Sequence, residues 1–125
     1  MNDRLLIDTN IVIYAFQGDK GIIDLIDGEN ISISFITEIE LLSWPRLIEK
    51  AYLSLKKFID SCRVIEYSSY LKEQVIEVRR KYNLKMLVAF IVASAIQDEV
   101  PLLSADGVFS IVKEIQFFKI KPSRK

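Results

Sequence analysis

Apolar segments with the two-residue period of strands alternate with segments of helical period along almost the whole chain, and this alternation constrains the fold more than any other feature. Strands are predicted at residues 4–7, 31–35, 64–67, 101–104 and 115–119. Between them, helical spacing of apolar residues predicts helices at 10–16, 20–27, 47–60, 71–81 and 84–96. Strands that alternate with helices pair in parallel. The sequence therefore predicts an α/β protein with a three-layer architecture, in which helices flank a central parallel sheet of about five strands.

Two local features refine this prediction. Thr37 precedes an apolar helical segment, and we expect its hydroxyl to cap a helix that carries Glu40. The helix at 84–96 is apolar nearly all round, which predicts that it is buried.

The chain of 125 residues is long enough for one compact domain, which we assign to residues 1–120, followed by a basic tail at 121–125. Its 17 basic and 17 acidic residues balance, so any attraction to nucleic acid must be local. Neither a secretory leader nor an apolar run of roughly 20 residues is present, so we expect a cytoplasmic protein without a membrane partner. The single cysteine, Cys62, is interpreted as a packing residue.

Three acidic residues share one topological position, because Asp8, Glu40 and Asp106 each follow a predicted strand. Strand ends of a parallel sheet point the same way, so these carboxylates can converge at its carboxyl edge. Converging acids repel one another unless a cation joins them, and oxygen ligands suit Mg²⁺ or Mn²⁺. Each acid also has a structural alternative, as a helix cap, a turn residue or a solvated side chain. The chain contains no histidine, which excludes histidine-based catalysis and histidine-ligated zinc.

Three segments in order resemble the motifs of the PIN domain family, the metal-dependent ribonuclease fold of VapC-type toxins. They are Leu6–Asn10, Ile33–Leu41 and Leu102–Asp106. The resemblance implies a parallel sheet, endoribonuclease activity with Mg²⁺ or Mn²⁺, RNA as substrate, an antitoxin as partner and a homodimer. By the same resemblance, Asp8, Glu40 and Asp106 are catalytic acids and metal ligands, and the Ser104 hydroxyl assists near the metal or phosphate.

The sequence departs from the family pattern at one acidic position, where Val88 stands. The residues three or four positions away on the same helical face are not acidic, so no neighbour replaces the missing carboxylate. We therefore expect Asp8 and Asp106 to hold one ion weakly, with Glu40 near it or acting through water. Low or absent nuclease activity follows. The rival hypothesis is a non-catalytic PIN-like module that binds RNA or a protein partner.

Other interpretations rest on fewer residues. A phospho-acceptor receiver domain also places acids at strand ends, but Glu66 is a poor acceptor. RNA could be contacted by Arg79, Arg80 and Lys85, or by Lys81, Arg46 and the tail cations Lys119, Lys121, Arg124 and Lys125, although most such charges only keep a surface solvated. Trp44, Leu47, Ile48 and Tyr52 are expected mainly in the core, with a groove for a partner helix or for self-association as the alternative.

Overall fold

A single parallel sheet of five strands forms the centre of the protein, in the computed structural model that describes residues 3–123. The strands are β1 (Arg4–Ile7), β2 (Asn30–Ser34), β3 (Arg63–Ile65), β4 (Leu102–Ser104) and β5 (Phe117–Lys119). Their order is β3-β2-β1-β4-β5, and every neighbouring pair is parallel. The predicted fold class is confirmed, and each strand overlaps the segment from which it was predicted.

Helices cover both faces of this sheet. They are α1 (Thr9–Phe16), α2 (Lys20–Ile26), α3 (Phe35–Leu42), α4 (Glu49–Asp60), α5 (Ser69–Tyr82) and α6 (Met86–Asp98), with a 3-10 helix at Gly107–Ile111. The Ser34 hydroxyl caps α3 by accepting a hydrogen bond from the Ile36 amide. The prediction that Thr37 caps this helix is wrong, because α3 begins at Phe35, two residues before Thr37, and Thr37 lies fully buried inside it.

The two faces of the sheet have separate apolar cores, as the two-residue period of strands requires. Leu6 and Leu102 face the core shared with α5 and α6, which also contains Ile65 and Val92. The adjacent residues Ile7 and Leu103 face the other core, with Ile11 of α1, Ile33 of β2 and Leu41 of α3. The central strands β1 and β4 are therefore buried on both faces, and their carboxyl ends are held firmly in place.

Helix α6 is buried along most of its length, but its first turn is not. Ala89, Val92 and Ala93 are fully buried, whereas Met86 and Leu87 are 49% and 50% exposed. The prediction that this helix is buried is therefore wrong at its amino end. An apolar sequence does not reveal which turn of a helix extends past the elements that cover it.

The end of the described chain is anchored to α2. The Ser123 hydroxyl donates a hydrogen bond to Oδ1 of Asp19, a fully buried side chain that caps α2 through the Ile22 amide. Arg124 and Lys125 of the predicted basic tail lie outside the described residues. In the described part of the chain, no helix is long and apolar enough to cross a membrane.

Candidate functional site

Asp8, Glu40 and Asp106 line one small pocket of about 110 Å³ at the carboxyl edge of the sheet. Asp8 follows β1, Glu40 lies in α3 directly after β2, and Asp106 follows β4. These three strands are neighbours in the sheet, so segments that are far apart in sequence end side by side. The convergence predicted from the strand ends is present in the structure.

Several hydrogen bonds join the segments at the ends of β1 and β4 beside this pocket. The Ser104 hydroxyl donates to Oδ2 of Asp8 at 2.7 Å, and the Ala105 amide donates to Oδ1 of Asn10 at 3.1 Å. Ser104 Oγ also accepts hydrogen bonds from the Asn10 side-chain amide at 3.2 Å and from the Asp106 amide at 3.0 Å. A hydroxyl has one hydrogen and two lone pairs, so Ser104 Oγ makes all the hydrogen bonds it can.

Ser104 therefore affects the site by positioning the acids. Its side chain is fully buried, and its three bonds fix Asp8 and the backbone that carries Asp106. The resemblance implied a hydroxyl that assists near a metal or phosphate. The geometry instead gives Ser104 a positioning role, because no lone pair or hydrogen is left for a ligand.

Glu40 is oriented by a second hydroxyl pair. The Thr9 hydroxyl donates to Oε1 of Glu40 at 2.6 Å, and the Oγ1 atoms of Thr9 and Thr37 lie 3.0 Å apart. Since the one hydrogen of Thr9 Oγ1 points to Glu40, Thr37 supplies the hydrogen of the second bond. Sequence reasoning gave Thr9 no role and gave Thr37 the wrong one. A polar side chain such as that of Thr37 inside an apolar helix was the sequence signal that could have indicated a buried hydrogen bond.

Burial is the main cause that raises the pKa of Asp8 above its ordinary value of 3.8. The hydrogen bonds from Ser104 and from the Thr9 amide oppose this shift, while the nearby charges of Glu40 and Asp106 add to it. Among the described residues, no lysine or arginine forms an ion pair with any of these three acids. The pocket therefore concentrates negative charge that a bound cation would neutralise.

The donor chemistry of the pocket fits one hard divalent cation. Oδ2 of Asp106 and Oε2 of Glu40 accept no hydrogen bond from the described residues, whereas Oδ1 of Asp106 accepts from the Val108 amide and Oε1 of Glu40 from Thr9. Within residues 3–123, no three acidic or thiol side chains are already arranged to hold a metal ion. Mg²⁺ keeps several waters when it is bound by proteins, so the carboxylates of Asp106 and Glu40 need not both contact the ion directly.

The remaining wall of the pocket is apolar. Val88 lies in it, together with Ile36, Leu87, Ile91 and Phe109. Val88 thus shares a pocket with the three acids but offers no ligand. This donor set does not fit a pair of metal ions, which would need more carboxylates than the pocket provides.

The basic residues predicted to contact RNA are dispersed. Lys85 occupies the position before α6, three residues before Val88, and is exposed. Arg79 donates to the Leu84 carbonyl at 3.0 Å and so helps to end α5. Arg80 lines a different cleft, between α5, α6 and Glu114. Of these three residues, only Lys85 lies within three positions of residues that line the pocket of the acids, namely Leu87 and Val88.

An apolar groove of about 220 Å³ lies on another face of the protein, between α1, α3 and α4. Leu47 and Trp44 line it, and Phe16 forms part of its edge. Trp44 and Ile48 are 52% and 67% exposed, and Tyr52 is also exposed. The expectation that most of this cluster belongs to the core is therefore wrong, because helical spacing of apolar residues does not show whether another element covers them, and only Leu47 of the four is half-buried.

Comparison with known proteins gives a consistent result. The family model described as "PIN domain" matches residues 5–115. The fold resembles a toxin-antitoxin complex from Klebsiella pneumoniae, at 22% identity over 93% of this chain and 99% of that one, with a TM-score of 0.81. It also resembles VapBC2 from Rickettsia felis bound to a promoter DNA fragment, at 19% identity, 94% and 99% coverage and a TM-score of 0.81.

A third similar structure is VapBC-1 from nontypeable Haemophilus influenzae, at 17% identity over 93% of this chain and 97% of that one, with a TM-score of 0.76. No curated protein sequence matches this chain at a significant level. At these identities the solved structures establish a shared fold over nearly the full length of both chains.

Proposed function

Because this chain belongs to the PIN domain family, we propose that it is a metal-dependent endoribonuclease of the VapC toxin type, with activity reduced by Val88. One observation carries the proposal. Carboxylates from three separate segments, Asp8, Glu40 and Asp106, line a single pocket at the carboxyl edge of the sheet. Their mutual repulsion favours a cation there.

In this proposal Asp8 and Asp106 hold one Mg²⁺ or Mn²⁺ ion, and Glu40 binds it directly or through water. When bound, such an ion orients a phosphodiester, lowers the pKa of a water molecule and offsets charge on the phosphoryl oxygens. Ser104 and Thr9 keep Asp8 and Glu40 in fixed orientations, so these side chains lose little freedom when a ligand binds.

Val88 limits this activity in two ways. It removes one negative charge and one ligand from the acidic wall, which lowers the affinity for a divalent ion. It also joins Leu87 and Ile91 in an apolar surface that cannot hydrogen bond to a phosphate or to an attacking water. Weak binding of a single ion and slow cleavage follow.

The second candidate function is a module that keeps the fold without cleaving RNA. Val88 is the observation that favours it, together with the finding that no three acids within residues 3–123 are already arranged to hold a metal ion. Such a module would bind RNA or a protein through the same edge of the sheet and would give no products with any divalent ion.

We also propose an antitoxin as partner and a homodimer as assembly. A similar solved structure is a toxin-antitoxin complex, and two others are of VapBC proteins, which supports the first proposal. The apolar groove beside Trp44 is the surface that best suits an amphipathic helix of such a partner. Trp44→Ala is expected to weaken binding of a purified antitoxin at least about tenfold while leaving RNA cleavage unchanged.

The deciding experiment measures RNA cleavage in Mn²⁺, in Mg²⁺ and with chelator, for the native protein and for Asp8→Asn. Slow cleavage that requires the metal and disappears in Asp8→Asn supports the nuclease. Asp3→Asn is a matched control, because Asp3 is an exposed aspartate that precedes the same strand. Cleavage that survives in Asp8→Asn would mean that a contaminating nuclease is present, and no cleavage at any metal concentration would favour the non-catalytic module.

A further inference from the structure

Lys119 is the last residue of β5, and the sheet register places it at the edge that carries the acidic pocket. It pairs with Ser104, the residue that joins Asp8 to the segment of Asp106. The next residue, Ile120, donates its amide hydrogen bond to the Ser104 carbonyl at 2.9 Å, which fixes the end of β5 against the end of β4. Lys119 therefore leaves the sheet beside the acids.

The side chain of Lys119 extends along Gly107, the residue after Asp106. A Cβ atom added at Gly107 would lie 3.6 Å from Nζ of Lys119 and 3.8 and 4.0 Å from its Cε and Cδ atoms. Because neighbouring Cα atoms are about 3.8 Å apart, the ammonium group lies within roughly 9 Å of the Asp106 Cα. Lys119 is exposed and forms no ion pair with any described acid.

Three other cations of the described chain are already engaged by partners. Lys81 pairs with Glu114 and Arg63 pairs with Asp98, both at 2.7 Å. Arg79 is bonded to a backbone carbonyl. A phosphodiester that approaches the pocket meets the negative charge of three carboxylates, so its binding depends on a nearby positive group that is not neutralised by a partner.

We infer that Lys119 binds a phosphate of the RNA strand on the β5 side of the acidic pocket, next to the phosphate that lies over the acids. This inference rests on the proposed function, since it assumes that RNA is the ligand of this edge. It places the RNA across the carboxyl edge of the sheet, from β5 toward the α6 residues that line the pocket. A competing role for Lys119, as a counter-ion that suppresses metal binding at Asp106, makes different predictions.

The test uses fluorescence anisotropy with a fluorescein-labelled single-stranded RNA of about 12 nucleotides, in chelator so that no cleavage occurs. Lys119→Met is expected to weaken binding about tenfold, the loss that follows from one charge-assisted contact. The slope of log K against log salt should fall by about 0.7, the value for one phosphate contact on a single strand. Lys119→Arg should bind nearly as the native protein does, and Lys57→Met serves as the matched control, because Lys57 is an exposed lysine in the last turn of α4.

Equal binding by Lys119→Met and Lys57→Met would overturn the inference while leaving the nuclease proposal intact. Tighter Mn²⁺ binding by Lys119→Met, with unchanged RNA affinity in chelator, would instead assign the counter-ion role and overturn the inference as well. If the native protein neither binds nor cleaves RNA, the proposed function fails, and the role of Lys119 fails with it. Thermal unfolding of each variant verifies that this exposed substitution leaves the fold intact.

Discussion

The Ser104 hydroxyl donates a 2.7 Å hydrogen bond to Asp8, across 96 positions of sequence. This bond links the ends of two neighbouring strands, and it acts on Asp8, whose pKa is raised by burial. The arrangement resembles the support that metal ligands receive from neighbouring side chains in metalloenzymes. The position of Asp8 therefore depends on Ser104, whose hydroxyl has no hydrogen-bonding capacity left for a ligand.

Replacement of Ser104 by alanine should disturb both strand ends. We expect Ser104→Ala to lower the free energy of unfolding by about 1–3 kcal/mol, because the Asp106 amide and Asp8 lose a buried partner. Mn²⁺ affinity should fall about tenfold as Asp8 loses its fixed orientation. Urea unfolding and metal titration measure the two effects. Ser94→Ala is the control, since Ser94 is equally buried but bonds only within its own helix, and a similar loss of metal affinity there would refute the positioning role.

Restoring an acid at position 88 should strengthen the site. Val88→Asp adds a carboxylate to the pocket that contains Asp8 and Asp106, so Mn²⁺ affinity and RNA cleavage are both expected to rise at least about tenfold. Val88→Asn, of the same size but uncharged, should give neither gain. Isothermal titration and a single-turnover cleavage assay make the comparison. Equal activity of the native protein and Val88→Asp would mean that position 88 does not correspond to the missing acid.

Removal of the Thr9 hydroxyl should affect Glu40. Thr9→Val breaks the 2.6 Å bond to Glu40 and the contact with Thr37, leaving a buried hydroxyl without its partner. A loss of about 1–2 kcal/mol in unfolding free energy is expected, with weaker metal binding because Glu40 becomes free to rotate. Thr9→Ser keeps the hydroxyl and should stay close to the native values. If both variants bind Mn²⁺ equally, Glu40 does not depend on Thr9.

Asp8 should make the metal-free protein less stable as pH rises. Its pKa in the folded state lies above 3.8, so between that value and its folded pKa the folded protein binds more protons than the unfolded chain. Stability linked to this group is therefore present below about pH 3.8 and is lost as pH rises through the folded pKa. Relative to the native protein, Asp8→Asn should gain stability from acidic to neutral pH. Denaturant midpoints measured across that range give the sign of the stability difference. A lower stability of Asp8→Asn than of the native protein at neutral pH would contradict the burial of a charged Asp8.

Cys62 should be chemically inert in the folded protein. Burial raises the pKa of its thiol to about 11, and Sγ lies 3.3 Å from the Phe58 carbonyl oxygen. At pH 8 only about one molecule in a thousand then carries the reactive thiolate. Alkylation by iodoacetamide should be at least about 100-fold slower in buffer than in guanidinium chloride. Comparable rates in the two conditions would place the thiol at the surface.

The position of the acids could be predicted from the sequence because it depends on local pattern. Asp8 and Asp106 each follow a short apolar strand. Strands that alternate with helices pair in parallel, so the carboxyl ends of these strands lie at the same edge of the sheet. The hydroxyls that orient these acids could not be found in this way. Ser104 and Thr9 reach their partners through the register of β1 against β4 and the packing of α1 against α3, and neither is specified by neighbours in sequence.

Exposure was the least predictable property. An apolar residue such as Trp44 or Leu87 has the same local pattern whether another helix covers it or not, and both are about half exposed here.

By itself the sequence determined most of the elements, the parallel pairing of the strands and the acids at the strand ends, since periodicity and chain connectivity act over a few residues. Only the tertiary structure decided which hydroxyls hold those acids, that Val88 shares their pocket and that Lys119 lies beside Asp106. Those relationships arise from contacts between segments up to about a hundred residues apart, and the geometry of such contacts is set by the packing of the whole sheet.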